Sequence, residues 1–183
     1  MDAQRAKFLR DKGDGKLHKH AIMQFTYWKQ KIMDKLASDK ELTKLLAYNS
    51  DDALVRPDLT EDERYDLIGK RILGVRYLSK VVQDQQSMIG IGFGNFVPQE
   101  SWRQFSEKFT MGYVYFYILV DNEIMSMETG YRQDLILARV YDLFQDEKFF
   151  GIGTLELGNL TELWEQNNKF GGYCLMMRVI DTK

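Results

Sequence analysis

Two histidines form the only pair in this chain whose type and spacing suggest metal binding or proton transfer. His18 and His20 are separated by one residue, and the chain has no other histidine. A metal site needs three or four ligands at defined spacing, and no cysteine or third histidine lies near this pair. We therefore expect two solvated imidazoles. No histidine remains for a Ser-His or Cys-His pair elsewhere, which argues against a nucleophile-and-base hydrolase.

The single cysteine and the glycine-rich runs have structural explanations. Cys174 lies in an apolar, strand-like run, where a thiol packs as a small hydrophobe more often than it acts as a nucleophile. The run from Gly90 to Asn95 has Asn where a dinucleotide-binding loop needs its last glycine, and Gly151-Ile152-Gly153 lacks the Lys-Ser/Thr that ends a phosphate-binding loop. Alternate glycines in a strand more often admit a neighbouring backbone or a bulky side chain.

Acidic residues crowd the segment from Asp58 to Asp66, and a helix start explains them. Thr60 and Glu63 have the spacing of a capping box, and carboxylates favour the positive end of a helix dipole. Paired catalytic carboxylates lie in clefts that shift their pKa values, and nothing in this segment indicates a cleft. The sequence therefore predicts no catalytic residue, no cofactor and no metal, and hence no enzyme.

An amphipathic helix is predicted near the N-terminus, between Leu17 and Leu36. Its apolar residues recur at spacings of three and four, which places them on one stripe: Ile22, Phe25, Trp28, Ile32, Met33 and Leu36. A capping box from Ser38 to Glu41 predicts a second, short helix that ends at Ala47. The polar run Asn49-Ser50-Asp51-Asp52 then predicts a boundary between an N-terminal helical arm, residues 1–50, and a body, residues 51–183.

The charge differs between these two segments. Residues 1–50 hold 11 Lys and Arg against 6 Asp and Glu, whereas residues 51–183 hold 14 against 21. The stripe either packs on its own body or docks on another subunit. The opposite charge and the polar break favour docking outside the body, and Ile22, Phe25, Trp28, Ile32 and Leu36 are the predicted contacts.

The body alternates helical and strand-like patterns. Helices are predicted over residues 61–70 and 131–144, and strands over residues 88–96, 111–121, 151–157 and 172–180. This order predicts an α+β fold in which helices pack a mainly antiparallel sheet. The run from Tyr113 to Val120 is apolar on both faces, so both need cover, and Tyr115 and Tyr117 are predicted to contact a neighbouring copy.

Length and composition limit the possible classes of protein. A chain of 183 residues with 24 aromatic side chains fits one globular domain, or a domain with an arm. One cysteine excludes an internal disulfide, and the longest apolar run is far too short to span a bilayer. We expect a soluble protein from a reducing compartment. An acidic body argues against binding of duplex DNA, because that affinity rests on neutralised phosphates.

The order of elements in the body resembles that of the tail terminator, or tail completion (neck), proteins of long-tailed bacteriophages. The resemblance covers roughly residues 60–183 and rests on these segments: Arg71-Ile72-Leu73, Met88 to Phe93, Tyr113 to Ile118, Tyr131-Arg132-Gln133-Asp134, Gly151 to Leu157, and Phe170-Gly171-Gly172-Tyr173. The 50-residue basic arm is a departure from that family.

The resemblance implies a structural virion protein of the α+β class. Such proteins form a hexameric ring that caps the tail tube and joins it to the head connector, in the neck of a virion assembled in the host cytoplasm. The resemblance implies these partners for this protein: other copies, the tail-tube protein and connector or adaptor proteins. DNA would pass through the lumen without specific binding. A head-closure or adaptor ring is the alternative, and a small bacterial enzyme or ligand-binding domain is the alternative from another class.

Overall fold

A computed structural model describes residues 21–76, 84–98, 110–148, 153–165 and 168–180 of the protein. Seven strands lie in these ranges: β1 (Ile72–Leu73), β2 (Ser87–Pro98), β3 (Thr110–Asp121), β4 (Ser126–Met127), β5 (Gly130–Tyr131), β6 (Thr154–Glu165) and β7 (Phe170–Ile180). Five of them form one sheet in the order β1-β2-β3-β7-β6, and β4 with β5 forms a small hairpin. In the sheet β1 runs parallel to β2, and the remaining pairs are antiparallel. The predicted α+β class with a mainly antiparallel sheet is confirmed.

Three of the four helices in the described ranges cover one face of this sheet. The helices are α1 (Ala21–Ser38), α2 (Lys40–Ala47), α3 (Glu61–Asp66) and α4 (Arg132–Phe144), with short 3₁₀ turns at Ala53–Val55 and Asn122–Ile124. Alternate strand residues point to one face, so β2, β3 and β7 present a continuous apolar layer to α1, α2 and α4. Its buried members are Ile89, Ile91, Val114, Phe116, Ile118, Val120, Leu175, Met177 and Val179. No helix among the described residues is long and apolar enough to cross a membrane.

The opposite side of the sheet, which we call the outer face, holds glycines beside tyrosines. Gly92 of β2 pairs with Tyr115 of β3, and Gly94 pairs with Tyr113. A Cβ atom added at Gly92 would lie 3.1 Å from Cε2 of Tyr117, and one added at Gly94 would lie 3.0 Å from Cε2 of Tyr115. The glycines therefore make room for aromatic rings of the adjacent strand, which confirms the structural explanation of this run.

Two helix boundaries differ from the sequence prediction. The capping box at Thr60 and Glu63 is confirmed. The one predicted at Ser38 is wrong: α1 continues through Ser38, and Asp39 caps α2 by accepting the Leu42 N–H at 2.7 Å. The helix α3 ends at Asp66 instead of residue 70, because the chain turns there into β1.

Candidate interaction surface

The apolar stripe of α1 packs on the sheet of its own chain. Trp28, Ile32 and Leu36 are buried in the same core cluster as the sheet residues. The ring of Phe25 stacks on Phe93 of β2, with ring centroids 5.1 Å apart. The prediction that these four residues dock outside the body is therefore wrong, because the helix-facing side of β2 already offers the apolar surface that the stripe requires. The side chain of the fifth predicted contact, Ile22, lies outside the described part of the structure.

The predicted joint between arm and body is held by a buried arginine. Arg132, at the start of α4, is fully buried. Its Nε donates to the Ile124 carbonyl at 2.9 Å, and its two terminal nitrogens donate to the carbonyls of Leu45 at 3.0 Å, Tyr48 at 2.5 Å and Ser50 at 2.6 Å. Burial lowers the pKa of Arg132. One guanidinium thus satisfies the carbonyls that end α2 and open the polar run, so both sides of residue 50 belong to one packed unit.

Ion pairs also join the first 50 residues to the rest of the chain. Lys40 and Lys44 of α2 lie 2.9 and 2.8 Å from the Asp58 carboxylate, and Lys35 of α1 lies 2.5 Å from Glu147. Hydrogen bonds from the two α2 lysines hold the pKa of Asp58 down to about 2. Part of the charge difference between the two segments is therefore used within the molecule.

A ladder of tyrosines occupies the middle of the outer face. The rings of Tyr115 and Tyr117 are stacked with centroids 6.1 Å apart, and Tyr113 continues the ladder 6.3 Å from Tyr115. The guanidinium carbon of Arg76 lies 4.9 Å from the centre of the Tyr117 ring. Burial raises the pKa of Tyr117 and of the neighbouring Cys174 thiol. These tyrosines are half-buried by their own chain, and their contact with a neighbouring copy stays a prediction.

The strand β6 carries an exposed apolar row that sequence reasoning missed. Leu157, Leu160 and Trp164 are exposed by 49%, 44% and 51%, and they pair with Met177, Leu175 and Gly171 of β7. They therefore lie on the helix side of the sheet, at its edge. The sequence-predicted strand stopped at residue 157 because Gly158 and Asn159 indicate a break. In the structure these two residues form a bulge and the strand continues to Glu165.

Side chains satisfy two backbone donors along this edge. The Leu157 N–H donates to Oε1 of Gln145 at 2.9 Å, and the Leu160 N–H donates to Oδ1 of Asn159 at 2.9 Å. A backbone pair covers only the start of the strand, where Leu155 bonds with Asp146 and Glu147. From Gly158 onward, no described strand pairs with this side of β6. The edge thus combines accessible backbone with accessible apolar side chains.

The described residues contain no group of three or more His, Cys, Asp or Glu side chains arranged to hold a metal ion. His18 and His20 lie outside the described residues, as do Gly151 and Ile152. Cys174 is half-buried on the outer face, and its raised pKa disfavours the reactive thiolate.

The five-stranded sheet with helices on one face makes this an α+β protein. The exposed apolar row along its edge strand β6 is a candidate protein-binding surface. The chain belongs to the YomW family, whose model matches residues 39–179, and this is a family of phage-type proteins. The match begins at Asp39, the cap of α2, and so crosses the boundary predicted at residue 50. Neither the comparison with curated proteins nor that with solved structures found a match.

Proposed function

We propose that this protein is a structural component of a phage particle, a subunit of the ring that caps the tail tube and joins it to the head connector. The observation that carries this proposal is membership of a phage-type family over residues 39–179. The finer role rests on the sequence resemblance to tail terminator proteins over roughly residues 60–183.

The surface of the described residues supports an assembly role. A ring subunit needs accessible strand edges and apolar surface that neighbouring subunits can cover. The strand β6 offers both, with Leu157, Leu160 and Trp164 exposed along its edge. The excess of carboxylates in residues 51–183 suits a ring through which DNA passes, because an acidic surface does not retain phosphates.

The test is to locate the protein in purified particles and to delete its gene. An epitope tag with gold labelling in electron microscopy should mark the junction between head and tail, with several copies per particle. Deletion should leave DNA-filled heads and separate, unjoined tails. If the label instead marks the connector of tailless heads, the adaptor ring is the correct assignment. Normal, infectious particles from the deletion strain would contradict both.

A further inference from the structure

The two ends of the five-stranded sheet differ in charge and in what they leave accessible. At one end, β6 has three glutamates and no basic residue along its 12 positions. Glu156 and Glu165 lie near Arg178 and Arg76, at 3.3 and 3.7 Å. Glu162 is exposed on the helix side within the apolar row, where it accepts the indole N–H of Trp164 at 3.0 Å.

At the other end, the side of β2 that faces away from β3 is paired with a described strand for only part of its length. The short strand β1 pairs with Ile89 and Gly90, and no described strand continues this pairing along β2 toward Pro98. This side of β2 beyond Gly90 and the edge of β6 after Gly158, neither of which pairs with a described strand, are both long enough for several strand hydrogen bonds.

A lysine without a carboxylate partner among the described residues lies beside this β2 edge. Lys29 of α1 donates to the Gly74 carbonyl at 2.6 Å, and its Nζ lies 5.8 Å from the centre of the Phe93 ring. Burial lowers the pKa of Lys29. Lys29 at the β2 end and Glu162 at the β6 end both lie on the helix side of the sheet. Their charges are opposite, so they are complementary when the two edges meet.

We propose that the β6 edge docks on the β2 edge of a second copy of this chain, head to tail, with Leu157, Leu160 and Trp164 covered and Glu162 near Lys29 of that copy. The docking strand would take over the Leu157 and Leu160 N–H groups from Gln145 and Asn159. This inference rests on the proposed ring, since a head-to-tail contact is the kind that closes into rings.

The alternative contact, β6 against β6 of a second copy, is disfavoured by charge. It would bring six glutamates together along one seam with no basic residue of either strand between them; Glu156 and Glu165 lie near arginines of their own chain, whereas the two Glu162 side chains have no ion pair in the described residues. A head-to-tail contact instead brings this strand to the part of α1 that carries Lys29, which lies near Phe93 of β2.

The experiment is a charge swap in the full-length chain, measured by sedimentation velocity and by incorporation into particles. Glu162→Lys should weaken association at least about tenfold, as should Lys29→Glu, and the double variant should recover most of it. Glu61→Lys makes the same charge change at an exposed position on α3 and should have no effect. Circular dichroism and thermal unfolding identify any variant that fails to fold.

Photocrosslinking gives a readout that does not depend on these substitutions. We would place p-benzoylphenylalanine at Leu160 and mix ¹⁵N-labelled with unlabelled chains, alone and in assembling particles. The expected mixed-isotope products join residue 160 to residues 21–38 or 87–98. Products between two β6 strands, products with other proteins only, or no product between copies in either setting would overturn the proposal.

The two proposals can fail separately. If particles contain the protein but its copies are cross-linked elsewhere, the contact is wrong and the function stands. If the β6 contact forms but the protein is absent from particles, the function is wrong and the contact stands.

Discussion

Replacing Arg132 with methionine tests whether one buried guanidinium fastens the N-terminal helices to the rest of the protein. Methionine replaces the aliphatic part of the arginine side chain but is shorter and has no donor, so Arg132→Met measures the loss of these hydrogen bonds together with a small cavity where the guanidinium lay. The bonds to Ile124 and Leu45 are buried, whereas those to Tyr48 and Ser50 are part-buried.

The expected loss of stability can be worked out from these four bonds. A hydrogen bond that involves a charged group contributes about 1.5–3 kcal/mol, and the two buried carbonyls would find no replacement. Water can reach the two part-buried carbonyls, so their loss adds less. Removing a buried cation returns some free energy, because its desolvation no longer opposes folding. We expect Arg132→Met to lower the free energy of unfolding by about 3–5 kcal/mol, a large share of the roughly 5–15 kcal/mol typical of a domain.

The assay is urea unfolding monitored by circular dichroism, with hydrogen exchange of the backbone amides of residues 45–52 as a local readout. Arg178→Met is the matched control, because Arg178 forms an exposed ion pair with Glu156 at 3.3 Å that should contribute no more than about 1 kcal/mol. Exchange near residue 50 should accelerate in Arg132→Met and not in the control. A loss below about 1 kcal/mol with unchanged exchange would refute the idea that Arg132 fastens this segment.

Three further predictions concern single positions. Trp28→Ala should destabilise the protein by about 3–5 kcal/mol in urea unfolding, since Trp28 is a core residue; a loss below about 1 kcal/mol would mean that α1 does not pack on its own sheet. Gly172→Ala should greatly reduce folded yield, because the added Cβ would lie 2.2 Å from the Ile118 carbonyl oxygen. Gly130→Ala, also at positive φ but with open space, is its control and should fold. The folded-state pKa of Asp58, about 2 against an ordinary 3.8, means that its stabilising effect is complete above about pH 4 and is lost as pH falls toward 2. Asp58→Asn should therefore flatten the acid side of the stability profile slightly, and an unchanged slope would contradict this.

Local patterns in the sequence were sufficient for much of the fold. The capping box at Thr60 and the alternation of Met88 to Phe96 and of Tyr113 to Val120 each depend on residues within one turn or one strand. These elements form where they were predicted, because their hydrogen bonds and side-chain directions are local.

The partner of an amphipathic helix could not be derived in this way. An apolar stripe indicates that α1 packs against another apolar surface, and the charge of its segment suggested that this surface belongs to another subunit. The structure instead packs Trp28 and Ile32 on the sheet of the same chain, where intramolecular packing avoids the entropy lost when two molecules associate. Net charge has little influence on this choice, because the charged ends of the lysines stay at the surface.

The exposed apolar row of β6 could not be predicted from the sequence either. Gly158 and Asn159 indicated the end of a strand. In the structure they form a bulge, and pairing with β7 continues beyond it, from Met177 to Met176 and onward. The position of β6 at the edge of the sheet depends on which strands pair with it. No local pattern could therefore identify Leu160 and Trp164 as exposed.

The sequence by itself determined the α+β class, the alternation of glycines in β2 and the positions of most helices and strands, because short-range periodicity and capping set them. The tertiary structure alone decided that α1 belongs to the core, that Arg132 joins the polar run to the helices, and that β6 is the edge strand of the five-stranded sheet. Each of these depends on residues far apart in sequence, such as Arg132 and its acceptor at Leu45. Burial, strand order and buried hydrogen bonds are properties of the folded chain as a whole, and no single segment encodes them.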